Sequence, residues 1–333
     1  MKKVMILAVG VLLLAVAAAG TGSAAPAKPI KVGMVTDVGG LNDHGFNHLA
    51  YVGLQQAQKN LGITFQVSAS RAPADYIPNL AAFARQGYDL VLGVGYTQID
   101  AMAAVAKRFP NTKFAIVDVA NGDLSGKPKN VLGLLFREEQ VGYLAGYLAG
   151  LVEKQKPGPD VIGSGGGMKE PPVDRFIAGY QAGAKAADPG ITTLNGYSED
   201  FSDLAKCKQI ALNQIEQGAG VIFQVAGGCG LGALDAAKEK RVWGIGVDAD
   251  QSFLGPHILT SAVKRVDTAV FDAIKLAVDG KFHGGNIVFG LKDNGVGIGK
   301  ISPKVPAAEV AKVNQIRADI ISGKIKDIPT EVP

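Results

Sequence analysis

Three aspartates follow three short apolar stretches of this chain: Asp37 after residues 30–35, Asp118 after residues 114–117 and Asp248 after residues 242–247. One aspartate in such a place is an ordinary turn or helix-cap residue. Three at independently read strand ends point instead to carboxylates gathered at one place. The segment Asp37-Val38-Gly39-Gly40-Leu41-Asn42-Asp43-His44-Gly45-Phe46-Asn47 adds an aromatic ring and an amide beside the first of them. A flat ring next to carboxylate and amide groups suits a planar heteroaromatic or polyhydroxylated ligand. Other strand ends carry Gly95-Tyr96, Gly165-Gly166-Gly167, Phe201 and Gly227-Gly228-Cys229-Gly230.

Catalytic signatures are missing from the same inventory. The glycines match neither G-x-G-x-x-G nor G-x-x-x-x-G-K-[ST], and the chain holds no G-x-S-x-G and no H-E-x-x-H. A hydrolase would have to rely on His44 with Asp118 or Asp248, without the clustered aspartates of a calcium-dependent nucleoside hydrolase. The residues therefore read as a binding site with no catalytic residue, no cofactor and no metal. Four histidines, none near a cysteine in sequence, make a zinc site a weak alternative.

The elements that must position these residues alternate. Apolar stretches of strand length at residues 30–35, 65–68, 90–94, 114–117, 161–163, 192–197, 221–225 and 242–247 are separated by helical patterns at 46–60, 76–86, 98–108, 138–153, 173–187, 204–217 and 232–239. Alternation of this kind builds parallel sheets with helices on both faces, and ligands of such sheets bind beyond the carboxyl ends of the strands. The pattern breaks near Phe136 and restarts after Lys156-Pro157-Gly158-Pro159, giving two similar halves without sequence repetition. Two α/β lobes facing one cleft follow.

The 333 residues, 47% of them hydrophobic, are enough for two domains with substantial cores. A formal net charge of +4, without clustering, argues against nucleic acid as a partner. Residues 1–27 read as a secretory leader: Lys2-Lys3, an apolar run over residues 4–19, then Thr21-Gly22-Ser23-Ala24-Ala25. That run falls short of the ~20 residues a membrane span needs. No cysteine lies in it or in the small-residue stretch that directly follows, so the mature protein is expected to be exported, periplasmic and soluble. Cys207 and Cys229 are the only cysteines, and in an oxidising compartment a disulfide between them is favoured over two buried thiols or a metal site.

At Asp37-Val38-Gly39-Gly40 with Asp43, Phe46 and Asn47, the chain resembles the basic membrane protein family of solute-binding proteins, whose purine nucleoside receptor members serve ABC importers. Further matches are Val141-Gly142-Tyr143-Leu144-Ala145-Gly146, Pro172-Val173 with Phe176 and Gly179-Tyr180-Gln181-Ala182-Gly183, Gly246-Val247-Asp248, and Thr260-Ser261-Ala262-Val263-Lys264-Arg265-Val266-Asp267. The resemblance runs through residues 30–290 in order. It departs at Cys229, where many members have a threonine, at His44-Gly45, where a Lys-Ser pair is common, and in lacking the lipid-attachment cysteine.

The resemblance implies a type I periplasmic-binding fold, two doubly wound parallel-sheet lobes joined by a three-segment hinge. The first lobe would comprise residues 28–136 with 262–288 and the second 137–261 with 289–333, the chain crossing near Phe136, Ser261 and Gly290. It further implies Asp37, Asn47 and Asp118 on the base of a purine nucleoside, Phe46 and Phe201 stacking on it, and Gly228, Asp248 and Lys264 near the sugar. Phe176 is a third candidate ring or a core residue. The implied partners are this small molecule and an ABC importer permease, with the protein acting as a monomer; a free base or a sugar is the alternative ligand.

Overall fold

The computed structural model describes Met1 and residues 29–333; the leader expected over residues 1–27 falls, but for Met1, outside them. In chain order the first half gives β1 (Lys31–Val35), α1 (Phe46–Leu61), β2 (Thr64–Ser68), α2 (Tyr76–Arg85), β3 (Leu90–Val94), α3 (Ile99–Arg108), β4 (Lys113–Val117) and β5 (Val131–Phe136). Next come α4 (Glu138–Glu153), β6 (Val161–Gly166), α5 (Pro171–Ala187), β7 (Thr192–Tyr197), α6 (Leu204–Glu216), β8 (Val221–Val225), α7 (Gly230–Lys240), β9 (Trp243–Asp248) and β10 (Ile258–Lys264). The chain ends with α8 (Val266–Val278), β11 (Gly285–Phe289), β12 (Val296–Ile298) and α9 (Ala307–Ile321).

Two six-stranded sheets result, ordered β11-β5-β4-β3-β1-β2 and β12-β10-β9-β8-β6-β7. Every pairing is parallel except that of β12 with β10. Strands such as β3 (LVLGV) and β8 (VIFQV) are buried along their whole length, because helices cover both faces of a parallel sheet and leave no side for polar residues. This is the doubly wound architecture that the alternating pattern predicts.

The chain passes between the sheets three times: at Arg137 after β5, at Arg265 after β10, and at Gly290 after β11. The second passage differs from the sequence expectation, which put the crossing at Ser261 and began the returning segment at 262. Ser261, Ala262 and Val263 are instead paired with Gly246, Val247 and Asp248 of β9, and Lys264 with Val296 of β12. An apolar stretch carries no mark of the sheet it joins, so the boundary moves to Arg265 only once the pairing is known.

The first two passages mirror one another. Arg137 and Arg265 share a similar backbone (φ −95°, ψ 64° and φ −81°, ψ 63°), and each pairs with an acid two residues on, Glu139 at 3.7 Å and Asp267 at 2.9 Å. After the first, α4 packs on α5 so closely that a Cβ on Gly146 or Gly183 would overlap the carbonyl oxygen of Tyr180 or Tyr143. After the second, α8 packs on α1.

Candidate functional site

The carboxyl ends of β1, β3 and β4 in one sheet face those of β6, β8 and β9 in the other, and a cavity with about 60 Å³ accessible to the centre of a water molecule lies between them. All nine residues singled out from the sequence line it: Asp37, Phe46, Asn47, Asp118, Phe176, Phe201, Gly228, Asp248 and Lys264.

Local structure sets each side chain. The Asp43 carboxylate accepts from the backbone N–H groups of Gly45 (3.0 Å), Asn47 (2.7 Å) and His48 (3.1 Å), so it satisfies the first turn of α1. That cap fixes Phe46 and Asn47 at the mouth of the cavity. Asn47 Nδ2 donates to Asp37 Oδ1 (2.7 Å) and Asp43 Oδ2 (3.2 Å), which uses both amide hydrogens. Its Oδ1 is left buried without a protein partner, on a residue that lines the cavity. Asp37 Oδ1 also accepts from Gly39 N at 2.8 Å.

Asp118 and Asp248 occupy equivalent ends of β4 and β9, and both have a left-handed backbone, with φ 73° and 63°. Non-glycine residues adopt that region at a cost, aspartate among the least reluctant. Between them Lys264, 1% exposed, closes β10. Its ammonium lies 2.7 Å from Asp118 Oδ1 and 2.9 Å from Glu138 Oε1, with the rings of Phe136, Phe46 and Phe176 at 4.9, 5.2 and 5.7 Å from it. Phe176 therefore serves both readings: it is 2% exposed, packs edge-on against Phe223 and still reaches the cavity wall. Phe201 stands on the second lobe, where its carbonyl accepts from Cys229 N at 2.9 Å and ties it to the Gly227-Gly228 turn. Cys229 is bonded to Cys207, joining α6 to the start of α7 beneath that turn.

The electrostatics are one-sided. Burial pushes Asp37 up to about 6, although Asn47 and Gly39 donate to it. Burial pushes Asp248 up to about 7, outweighing the nearby Lys264. It also pushes up Glu138 against the pull of Lys264. For Lys264 burial opposes the charge, but Asp118, Glu138 and Asp248 together overcome it and hold the ammonium above its ordinary value. Glu170, the residue before α5, is pushed up to about 7 by burial and by the charges of Asp118 and Asp37. The cavity thus offers many hydrogen-bond acceptors and one already committed cation. It fits a ligand rich in N–H and O–H donors and repels an anion.

Sequence reading passed over Glu138 and Glu170 and gave Asp43, Gly95 and Tyr96 no role in the site. The carboxylate directly before Pro171-Pro172, at a helix start facing a strand end, is the signal that could have revealed Glu170. Among the described residues no three His, Cys, Asp or Glu side chains are grouped to hold a metal ion. No helix among them is long and apolar enough to cross a membrane.

Comparison with known proteins agrees with this architecture. Residues 30–330 match the family model described as "ABC transporter substrate-binding protein PnrA-like". The "ABC transporter nucleoside-binding protein BmpA" of Lactococcus lactis is 37% identical over 89% of this chain and 88% of its own length. An "Uncharacterized lipoprotein" of Pyrococcus abyssi is 35% identical over 97% of this chain and 81% of its own; that name runs partly against the expectation of an unanchored protein. The crystal structure of a solute-binding protein from Aeropyrum pernix superposes with a TM-score of 0.83 at 29% identity, over 91% of this chain and 94% of the other. With strand order, cavity position and this match in agreement, the chain belongs to the PnrA-like family of ABC transporter substrate-binding proteins.

Proposed function

We propose that this protein captures a purine nucleoside in the cavity between its lobes, outside the cytoplasmic membrane, and passes it to an ABC permease. The observation that carries the reading is the pairing of two aromatic rings, Phe46 on one lobe and Phe201 on the other, with an acceptor-rich lining. A purine supplies the flat faces, its ring N–H and amino groups answer Asp37 Oδ2 and Asn47 Oδ1, and ribose hydroxyls answer Asp248. A simple sugar would leave the rings without a stacking partner, although they could still cover its C–H faces. A phosphorylated ligand would bring like charge among Asp37, Asp43, Asp118, Glu170 and Asp248. The name of the Lactococcus lactis relative, at 37% identity, is in keeping with a nucleoside.

Native mass spectrometry of the protein from its own source, followed by calorimetric titration with nucleosides, free bases, sugars and nucleotides, tests the reading. A bound nucleoside and no heat with nucleotides is the expected result. Tighter binding of a sugar than of any nucleoside would reject it.

A further inference from the structure

Glu170 stands apart from the other cleft carboxylates. Asp43 caps α1, Asp37 Oδ1 is held by Asn47 and Gly39, and Asp118 and Glu138 share Lys264. Glu170 occupies the cap position of α5 yet makes no side-chain capping bond, since the first turn of that helix starts with two prolines and needs fewer donors satisfied. The neighbouring cations are engaged elsewhere, Lys169 with Asp174 at 3.6 Å and Arg175 with Glu138 at 3.7 Å. Among the described residues its carboxylate has no ion pair, and it lines the cavity. Asp118 and Asp37, both from the opposite lobe, are the charges that raise it most.

A second observation places an acceptor at the same end. Asn47 is 1% exposed, its Oδ1 has no protein partner, and it lies on the cavity beside Asp37. Three acceptors, the free oxygen of Asp37, Asn47 Oδ1 and the Glu170 carboxylate, thus come from both lobes without a protein donor between them. Buried acceptors of this kind cost free energy unless the ligand brings the hydrogens.

We propose that Glu170 is a specificity-determining residue: with Asp37 and Asn47 it makes an acceptor-only end of the cleft that selects a ring edge bearing adjacent N–H donors. The proposal rests on the nucleoside reading and sharpens it to a base with a ring N–H next to an amino group. Guanosine has that edge, and inosine, which lacks the amino group, serves as its control.

Calorimetric titration at pH 8, where Glu170 is ionised, should show wild-type protein binding guanosine at least ~10-fold more tightly than inosine, as expected of a hydrogen bond to a charged group. Glu170→Ala and Glu170→Gln should bring that ratio to within about threefold of unity while inosine affinity moves little. Because the side chain makes no hydrogen bond within the protein and its buried charge opposes folding at pH 8, both variants should melt at or above the wild-type temperature, which verifies their folding. A wild-type ratio near one, or a ratio unchanged in both variants, overturns the role of Glu170 and leaves the nucleoside reading standing. Failure of the wild type to bind any nucleoside overturns both.

Discussion

Lys264 Nζ lies 2.8 Å from Asp118 Oδ2 and 2.7 Å from Oδ1, so the last residue of β10 in the second sheet is salt-bridged to the residue just past β4 in the first. Glu138, the first residue of the helix that follows the first passage between lobes, shares the same ammonium. One buried cation therefore ties together the two sheets and the start of α4. Breaking a buried pair by removing one partner leaves uncompensated charge, at about 3–5 kcal/mol. Lys264→Met should lower unfolding free energy by about that amount at pH 7, measured by chemical denaturation. A loss below ~1 kcal/mol would show that the network contributes little.

Asp248 gives a pH dependence of defined sign. Its carboxyl is pushed from 3.8 to about 7 by burial, so the folded protein holds the proton more tightly than the unfolded chain. Its contribution favours folding at low pH and is progressively lost as pH rises from about 4 to about 7. Asp248→Asn cannot ionise and tolerates the left-handed backbone at φ 63°. Its stability relative to wild type should rise across that window by on the order of 3–4 kcal/mol. Thermal unfolding at pH 4, 5.5 and 7.5 without ligand checks this, and a flat difference rejects it.

Phe46 is part of the cavity wall and is only partly buried against the first-lobe core. Phe46→Ala should weaken nucleoside binding by ~1–3 kcal/mol, the value of one stacked base. The melting temperature without ligand should change little. A large fall in that temperature would instead assign the ring to the core.

The disulfide between Cys207 and Cys229 spans 22 residues, for which loop closure predicts about 3 kcal/mol of stability. Both residues are buried, at 4% and 0% exposure. Neither should be alkylated in denaturant before reduction, and both should be afterwards. Because Cys229 N holds the Phe201 carbonyl, reduction should also weaken ligand binding, which titration with and without reductant would reveal.

The lobes touch at the cleft mouth through Gln251 Nε2 to His44 O (3.4 Å), Ser202 Oγ to Val38 O (3.4 Å) and the rings of His44 and Phe253 (6.0 Å apart). A ligand that contacts Asp37 on one lobe and Asp248 on the other favours this arrangement over an opened one, because only differential binding shifts such an equilibrium. Saturating ligand should reduce the wild-type radius of gyration in small-angle scattering. Asp248→Gly, which removes a second-lobe contact without straining the backbone, should bind more weakly and contract less. An unchanged wild-type radius would exclude hinge closure.

Much of this was legible in the chain itself. Strand and helix periods are local properties, so residues 90–94 and 221–225 announce buried parallel strands, and Asp37, Asp118 and Asp248 can be picked out as strand-end residues before any pairing is known. The chain could not say where β10 ends, because a strand pattern over residues 258–264 suits either sheet; the pairing of Lys264 with Val296 decided it. Nor could it bring Glu138 and Asp118 to one ammonium, or set Glu170 opposite Asp37. Those meetings join residues from remote segments, such as the 146 positions that separate Lys264 from Asp118, and their distance depends on strand order and on three passages between lobes. Local sequence fixes which side chains stand at strand ends, whereas the packing of one sheet against the other determines which of them share a cavity, a charge or a ligand.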